Sequence, residues 1–199
     1  MKTLLIATTN ADKVQEIAAK LSDAGLSEIT LRDLTAYPGY PPPEENGDTF
    51  AQNASVKALF AASYSGFPAL ADDSGLTVAA LGGAPGVYSA RYAGPRQDSA
   101  ANNTKLLKEL AQTPRTRRQA AFCCAIALAL PDGCVWLSEA QVAGIILEAP
   151  RGNGGFGYDP LFYLPECDRS MAELTRAEKN RLSHRALALE KAIPLLRRL

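Results

Sequence analysis

The sequence predicts a mixed α/β fold, a twisted sheet with flanking helices. Three observations predict it. A short apolar strand at the start leads through a polar loop into an amphipathic helix. Strand-like and helix-period segments then alternate along the first half of the chain. Two long apolar runs, Gln119 to Leu130 and Cys134 to Ile146, are split only by Pro131-Asp132-Gly133, a turn signal, and so form a hairpin. Strands interleaved with helices, plus an antiparallel hairpin, give a mixed sheet. A chain of 199 residues with no repeat and no low-complexity linker reads as a single domain, 1–199, with at most a pair of lobes.

The elements follow in order. Thr3 to Ala7 is the first strand. After Thr8-Thr9-Asn10 comes a helix with Val14, Ile17, Ala18 and Leu21 on one face, capped by Asn10 and stopped near Gly25. Tyr37 to Glu45 is a loop with four prolines and one glycine, ending in Glu44-Glu45. Asp48 or Thr49 caps a second helix, to about Ser63, on which Asn53 and Lys57 share a face. Ala69 to Ala71 reads as a buried strand that ends in Asp72-Asp73-Ser74-Gly75, and Leu76 to Leu81 as a further strand closed by Gly82 to Gly86. A third helix starts near Asp98 and carries Leu106, Leu107 and Leu110. Beyond the hairpin lie the glycine-dense loop Gly152 to Gly157 and a short strand at Leu161 to Tyr163. Ser170 with Glu173 resembles a capping box. Helices run from there to the end, with a break near Ser183 and a kink or late start at Pro194.

Composition narrows the function. Lys plus Arg number 21 and Asp plus Glu number 21, which argues against a strongly basic nucleic-acid binder. No apolar run approaches the roughly 20 residues of a membrane span. Met1 to Leu5 runs straight into the first strand without a secretory pattern, so a cytoplasmic location is expected. The four cysteines form no C-x-x-C pair and the single histidine, His184, is remote, so no structural zinc is expected. Cys123 and Cys124 sit in an apolar run and read as packed thiols.

Four features could carry chemistry. Asp72-Asp73 stands at the end of an apolar strand and Glu44-Glu45 at the end of a rigid Pro loop; carboxylates brought together repel unless protonated or bridged by a cation, and oxygen-only ligands suit Mg²⁺. The alternative is a pair of solvated acidic turns. Lys13, Lys57 and Lys179 could neutralise a triphosphate, with the Thr8 to Lys13 loop at a helix N-terminus, although that loop is not a Walker A sequence. Taken singly, each lysine reads as solvated. Glycines around Phe156 leave its ring open as a stacking platform, with Asp159 able to accept from a base N–H; a turn with one anchoring Phe is the alternative. Ser183-His184-Arg185 could donate to a carbonyl oxygen, but no nucleophile elbow or second histidine supports a Ser-His-Asp hydrolase.

Taken in order, these segments resemble the Ham1-like family of inosine/xanthosine triphosphate pyrophosphatases. The matching stretches are A-T-T-N-A-D-K-V-Q-E-I from Ala7, P-E-E-N-G-D-T-F-A-Q-N-A-S-V-K-A from Pro43 and A-D-D-S-G-L from Ala71. They continue with G-G-A-P-G-V-Y-S-A-R-Y-A-G from Gly82, G-G-F-G-Y-D-P-L-F from Gly154 and M-A-E-L-T-R-A-E-K-N-R-L-S-H-R from Met171. The resemblance implies two lobes around a central cleft, a homodimer, and Mg²⁺-dependent hydrolysis of ITP, dITP and XTP to the monophosphate and pyrophosphate. It implies phosphate binding by Thr8, Thr9, Asn10, Ala11, Asp12 and Lys13, assisted by Lys57. Metal binding falls to Asp73 with Glu44 or Glu45, Asp73 also serving as or positioning the base. Ser74 touches substrate, and Phe156, Gly157, Tyr158, Asp159, Lys179, His184 and Arg185 hold the purine. The chain departs from the family at Thr9, often Gly, and at Glu139-Ala140, often Glu-Gly. Two other readings compete: a Maf-like pyrophosphatase acting on other nucleotides, and a nucleotide-binding module without catalysis.

Overall fold

A computed structural model describes residues 2–199. Its elements are β1 (Lys2–Ile6), α1 (Ala11–Asp23), β2 (Ile29–Asp33), α2 (Phe50–Ser65), β3 (Ala69–Val78), α3 (Ser99–Glu109), β4 (Gln119–Ala129), β5 (Val135–Ile146), β6 (Phe162–Leu164), β7 (Arg169–Ser170), α4 (Arg176–Leu182) and α5 (His184–Leu196), with short 3₁₀ turns between them. The seven strands lie in the order β2-β1-β3-β4-β5-β6-β7. β1 runs parallel to both β2 and β3, while β5, β6 and β7 pair antiparallel, so the sheet is mixed as expected. The chain divides into two compact units. Unit 1 runs through Asp73 and includes Cys124–Ala140 and Ser183–Leu199; unit 2 holds Ser74–Cys123 and Gln141–Leu182.

Unit 1 owes its layering to strand alternation. Leu4 and Ile6 of β1, Leu70 of β3, and Cys124, Ile126 and Leu128 of β4 pack with Ile17 and Leu21 of α1 and Leu189 and Leu196 of α5. The intervening residues Leu5, Ala69, Ala71, Ala125, Ala127 and Ala129 meet Ala54, Ala58, Ala61 and Ala62 of α2. Alanine on alanine thus packs α2 against the sheet. Asn10 caps α1 and Thr49 caps α2, each accepting from backbone N–H groups of the first turn, and Gly66 closes α2 in the left-handed conformation at φ 72°.

Unit 2 gathers Leu76, Val78, Leu106, Leu110, Phe122, Ile146, Leu161, Phe162 and Met171, with the Phe122 and Phe162 rings 4.3 Å apart. The buried Arg118 donates to the carbonyls of Leu110, the C-cap of α3, and of Thr113 and Leu147, and so ties the segment after α3 to the end of β5.

Several elements differ from the sequence reading. β2 and β7 were not anticipated, because each is a short run that lacks flanking turn signals on both sides. Asp72-Asp73-Ser74-Gly75 does not end a strand: β3 continues through it to Val78, and Ala79–Leu81 is a 3₁₀ turn. The turn preference of Asp, Ser and Gly rests on solvated, locally bonded side chains, and here both aspartates are buried in ion pairs instead. The Ser170/Glu173 capping box is present, but it caps the single 3₁₀ turn Met171–Glu173. The expected break falls at Ser183, which caps α5 at His184, and α5 runs on through Pro194, so no late start occurs there.

Candidate active site

In unit 1 the Thr8 to Lys13 segment joins β1 to α1. The Thr8 hydroxyl accepts from Asn10 N at 3.1 Å, and Asn10 Oδ1 accepts from the amides of Asp12 and Lys13 at 3.0 and 3.2 Å. Two of the amides that the sequence offered to an anion are thus taken by the cap. Thr9, Asn10, Ala11 and Asp12 are exposed, so Thr9 has the room that its extra bulk over glycine needs.

Lys13 points along α1 to β3, where its Nζ lies 3.0 Å from Asp72 Oδ2. Arg185, at the start of α5, places Nε and Nη2 at 3.1 Å from the same oxygen, and its Nη1 bonds Glu16. Both Asp72 and Arg185 are almost fully buried. Burial opposes ionisation of Asp72, but the charges of Lys13, Arg185 and Lys57 overcome it and hold the carboxyl well below the usual range.

On the α2 side, Lys57 Nζ lies 2.8 Å from Asp73 Oδ1 and 3.1 Å from Glu45 Oε2. Burial alone would lower the Lys57 pKa; the carboxylates of Asp73, Asp72 and Glu45 outweigh it and raise the pKa. Asp73 is shifted up, first by burial and then by Glu45, against the pull of Lys57. Asn53 Nδ2 donates to Asp73 Oδ2 at 3.3 Å. Of the acidic doublet, Glu45 therefore joins Asp73, whereas Glu44 is exposed and accepts from Asn46 Nδ2 at 2.7 Å.

Unit 2 holds the second set of residues. Asp159 Oδ2 accepts from Phe156 N at 3.0 Å and from Lys179 Nζ at 2.7 Å, so it shapes its own loop. The Lys179 ammonium stands 4.6 Å from the Phe156 ring centroid, a cation–π distance. Gly155 has φ 73°, and a Cβ there would run into the Asp159 carboxylate, so the loop requires glycine at that point. Asn103 Nδ2 holds the Gly157 carbonyl at 3.0 Å, and the Tyr158 hydroxyl donates to Ser89 O at 2.8 Å. Tyr158 is buried and acts as an anchor, leaving Phe156 as the partly exposed ring.

The Ham1 family pattern matches residues 4–195. The chain belongs to the Ham1 family. It is 50% identical over 196 residues to the dITP/XTP pyrophosphatase of Desulforamulus reducens, covering 98% of this chain and 96% of that one. It is 51% identical over 191 residues to the dITP/XTP pyrophosphatase of Geobacillus kaustophilus, covering 96% and 92%. Among solved structures, a HAM1 protein from Coxiella burnetii superposes with a TM-score of 0.89 at 42% identity and full coverage of both chains. The Staphylococcus aureus Ham1 protein gives a TM-score of 0.86 at 38% identity, with 98% of each chain covered. The sequence resemblance and the mixed-sheet fold are borne out together.

Within this Ham1 chain, unit 1 brings together Lys13, Lys57, Glu45, Asp73 and Arg185, and unit 2 brings together Phe156, Asp159 and Lys179. Ser74, next to Asp73 in β3, falls in unit 2 and is partly exposed. His184 is buried at the start of α5. Arg185, expected at the purine, has its guanidinium engaged by Asp72 and Glu16. Glu16 was missed; Asp72 was named only as half of an acidic doublet and Asn53 only as sharing a face with Lys57. Glu16 follows Lys13 by one helical turn, which was the available signal.

The acidic residues suit Mg²⁺. Glu45 and Asp73 point at one ammonium and supply only hard oxygen donors, and Mg²⁺ takes one or two carboxylates with waters and phosphate oxygens. Among the described residues no cluster of three or more His, Cys, Asp or Glu gathers to form an all-protein cage. No helix among the described residues is long and apolar enough to cross a membrane.

Proposed function

We propose that this chain hydrolyses dITP, ITP, XTP and dXTP to the nucleoside monophosphate and pyrophosphate, as a cytoplasmic homodimer that clears non-standard purines. The observation that carries the reading is the Glu45–Lys57–Asp73 constellation beside Lys13–Asp72, in a chain at 50% identity to a dITP/XTP pyrophosphatase. No disulfide joins the cysteines among the described residues, in keeping with a reducing compartment.

Asp73 and Glu45 would hold Mg²⁺, which supplies Lewis-acid contact to phosphate oxygens and a polarised water. The rest falls to the chain's own groups. Lys13 and Lys57 offset charge that builds on the pyrophosphate leaving group; each such contact is worth about 2–4 kcal/mol in the transition state. Asp73, lifted by burial, accepts or orients the proton of the attacking water. Thr8 and Asn10 fix the loop that meets the phosphates. Phe156 stacks on the purine, and Lys179 is a donor-only group beside that ring. A donor facing position 6 donates to the oxo group of hypoxanthine or xanthine and opposes the amino group of adenine; such a site can discriminate by ~10⁴-fold. The family resemblance extends this role to His184, whereas the Arg185 guanidinium is held by Asp72 and Glu16.

The test is pyrophosphate release from ITP, dITP, XTP, GTP and ATP with and without Mg²⁺. The reading expects Mg²⁺-dependent product from the first three and little from ATP. Equal ATP and ITP rates would defeat the selectivity. Preference for dTTP or UTP would favour the Maf-like reading, and tight ITP binding without product the non-catalytic one. Sedimentation of the purified protein tests the homodimer.

A further inference from the structure

Asn53 lies on α2 one turn before Lys57 and is 1% exposed. Its amide makes three contacts. Oδ1 accepts from Gly47 N at 2.8 Å, and Nδ2 faces Gly47 O at 3.4 Å and Asp73 Oδ2 at 3.3 Å. The orientation of the amide is set by chemistry, since only the oxygen can face the Gly47 N–H. Asn53 thus ties the loop that carries Glu45 to the strand that carries Asp73.

The close fit leaves no space for a side chain at Gly47. A Cβ there would stand 2.7 Å from Asn53 Oδ1 and 2.8 Å from Gln52 Cβ. Gln52 adds a second tie, accepting from Asp48 N at 2.8 Å. The two oxygens of Asp73 are divided between two residues four apart on one helix face: Lys57 takes Oδ1 and Asn53 takes Oδ2. Each of those residues also holds the acidic loop, Lys57 through the Glu45 side chain and Asn53 through the Gly47 backbone. Lys57 alone would allow Asp73 to rotate about its terminal torsion and would fix only one flexible side chain of the loop.

We propose that Asn53 is a positioning residue that fixes the spacing and rotation of the Asp73 and Glu45 carboxylates, and so sets divalent-cation affinity. This rests on the reading of those two carboxylates as the cation site. Partners that orient metal-binding carboxylates typically matter by about 10–100-fold in affinity or rate.

Asn53→Leu keeps the side chain's branching, with bulkier methyl groups, and removes all three contacts; Gly47→Ala disturbs the same tie from the loop side and leaves Asn53 in place. Mn²⁺ affinity is measured by isothermal titration in the presence of a non-hydrolysable ITP analogue, alongside kcat, KM and the urea midpoint. The expected result is Mn²⁺ affinity and kcat both lower by about 10–100-fold, with the KM for ITP changed far less. A fall in the urea midpoint with Mn²⁺ affinity and kcat at wild-type values would overturn the proposal, since a purely structural asparagine predicts that. Where Asn53→Leu does not fold, Gly47→Ala decides by the same readings. Wild-type protein inert toward ITP would remove the proposed reaction, while the Mn²⁺ titration would still judge Asn53.

Discussion

Asp72 and Asp73 are adjacent in β3, yet their carboxylates leave the strand on opposite faces and meet different cations: Asp72 takes Lys13 and Arg185, Asp73 takes Lys57. Alternation along the strand accounts for the split, since Asp72 shares the face of Leu70 and Asp73 the face of Ala69 and Ala71. Their acidities move apart as well, Asp72 downward and Asp73 upward. One aspartate supports the fold and its neighbour is held in readiness at some cost to it.

Asp73→Asn is expected to abolish turnover with the fold intact. Loss should reach ~10³-fold or more, on the order of 4 kcal/mol. Lys57 keeps Glu45 as a partner when Asp73 loses its charge, so the urea midpoint should change little. Pyrophosphate release and urea unfolding check both halves; normal activity would remove Asp73 from the mechanism.

Asp72→Asn should show the reverse pattern in acid. The folded pKa of Asp72 is depressed, so its contribution to stability is complete above the unfolded value, about 3.9, and is lost as pH falls from there toward the folded pKa. Urea midpoints between neutral pH and about pH 2 should therefore drop more steeply in the wild type than in Asp72→Asn. Parallel acid limbs would refute the assignment.

The sequence exposed much of this arrangement and hid specific parts. The α1 face, the Asn10 cap, the shared face of Asn53 and Lys57, and the turn at Gly133 all depend on local spacing, which a linear reading captures. The continuity of β3 does not. Asp72-Asp73-Ser74-Gly75 carries every local mark of a turn, and only charges from α1, α2 and α5, distant in sequence, make burial of two aspartates tolerable. The choice between Glu44 and Glu45 was equally non-local, because it depends on where Lys57 reaches after the loop has been tied down.

Arg185→Ala tests the reassignment of Arg185. On the sequence alone it should lose preference for ITP over ATP. In the structure its guanidinium is buried between Asp72 and Glu16, so its loss leaves two acids facing each other without their shared cation. Breaking a buried ion pair from one side costs about 3–5 kcal/mol, which urea unfolding will register. Wild-type stability with a collapsed ITP to ATP ratio would return Arg185 to the purine.

Phe156→Ala tests the proposed stacking role of Phe156. Phe156 is partly exposed, its ring lies under the Lys179 ammonium, and its loop is fixed by Asp159 and by the left-handed Gly155. Removing the ring takes away a stacking surface worth about 1–3 kcal/mol per base, with no loss from the carboxylates and lysines of unit 1. The KM for ITP should then rise about 5–150-fold with kcat changed far less, because stacking is made in the bound ground state as well as in the transition state. Gly155→Ala should shift KM in the same direction without touching the ring, since it displaces the loop that presents it. A fall in kcat at constant KM in both variants would show that this loop acts on the reacting phosphate and would move the purine elsewhere.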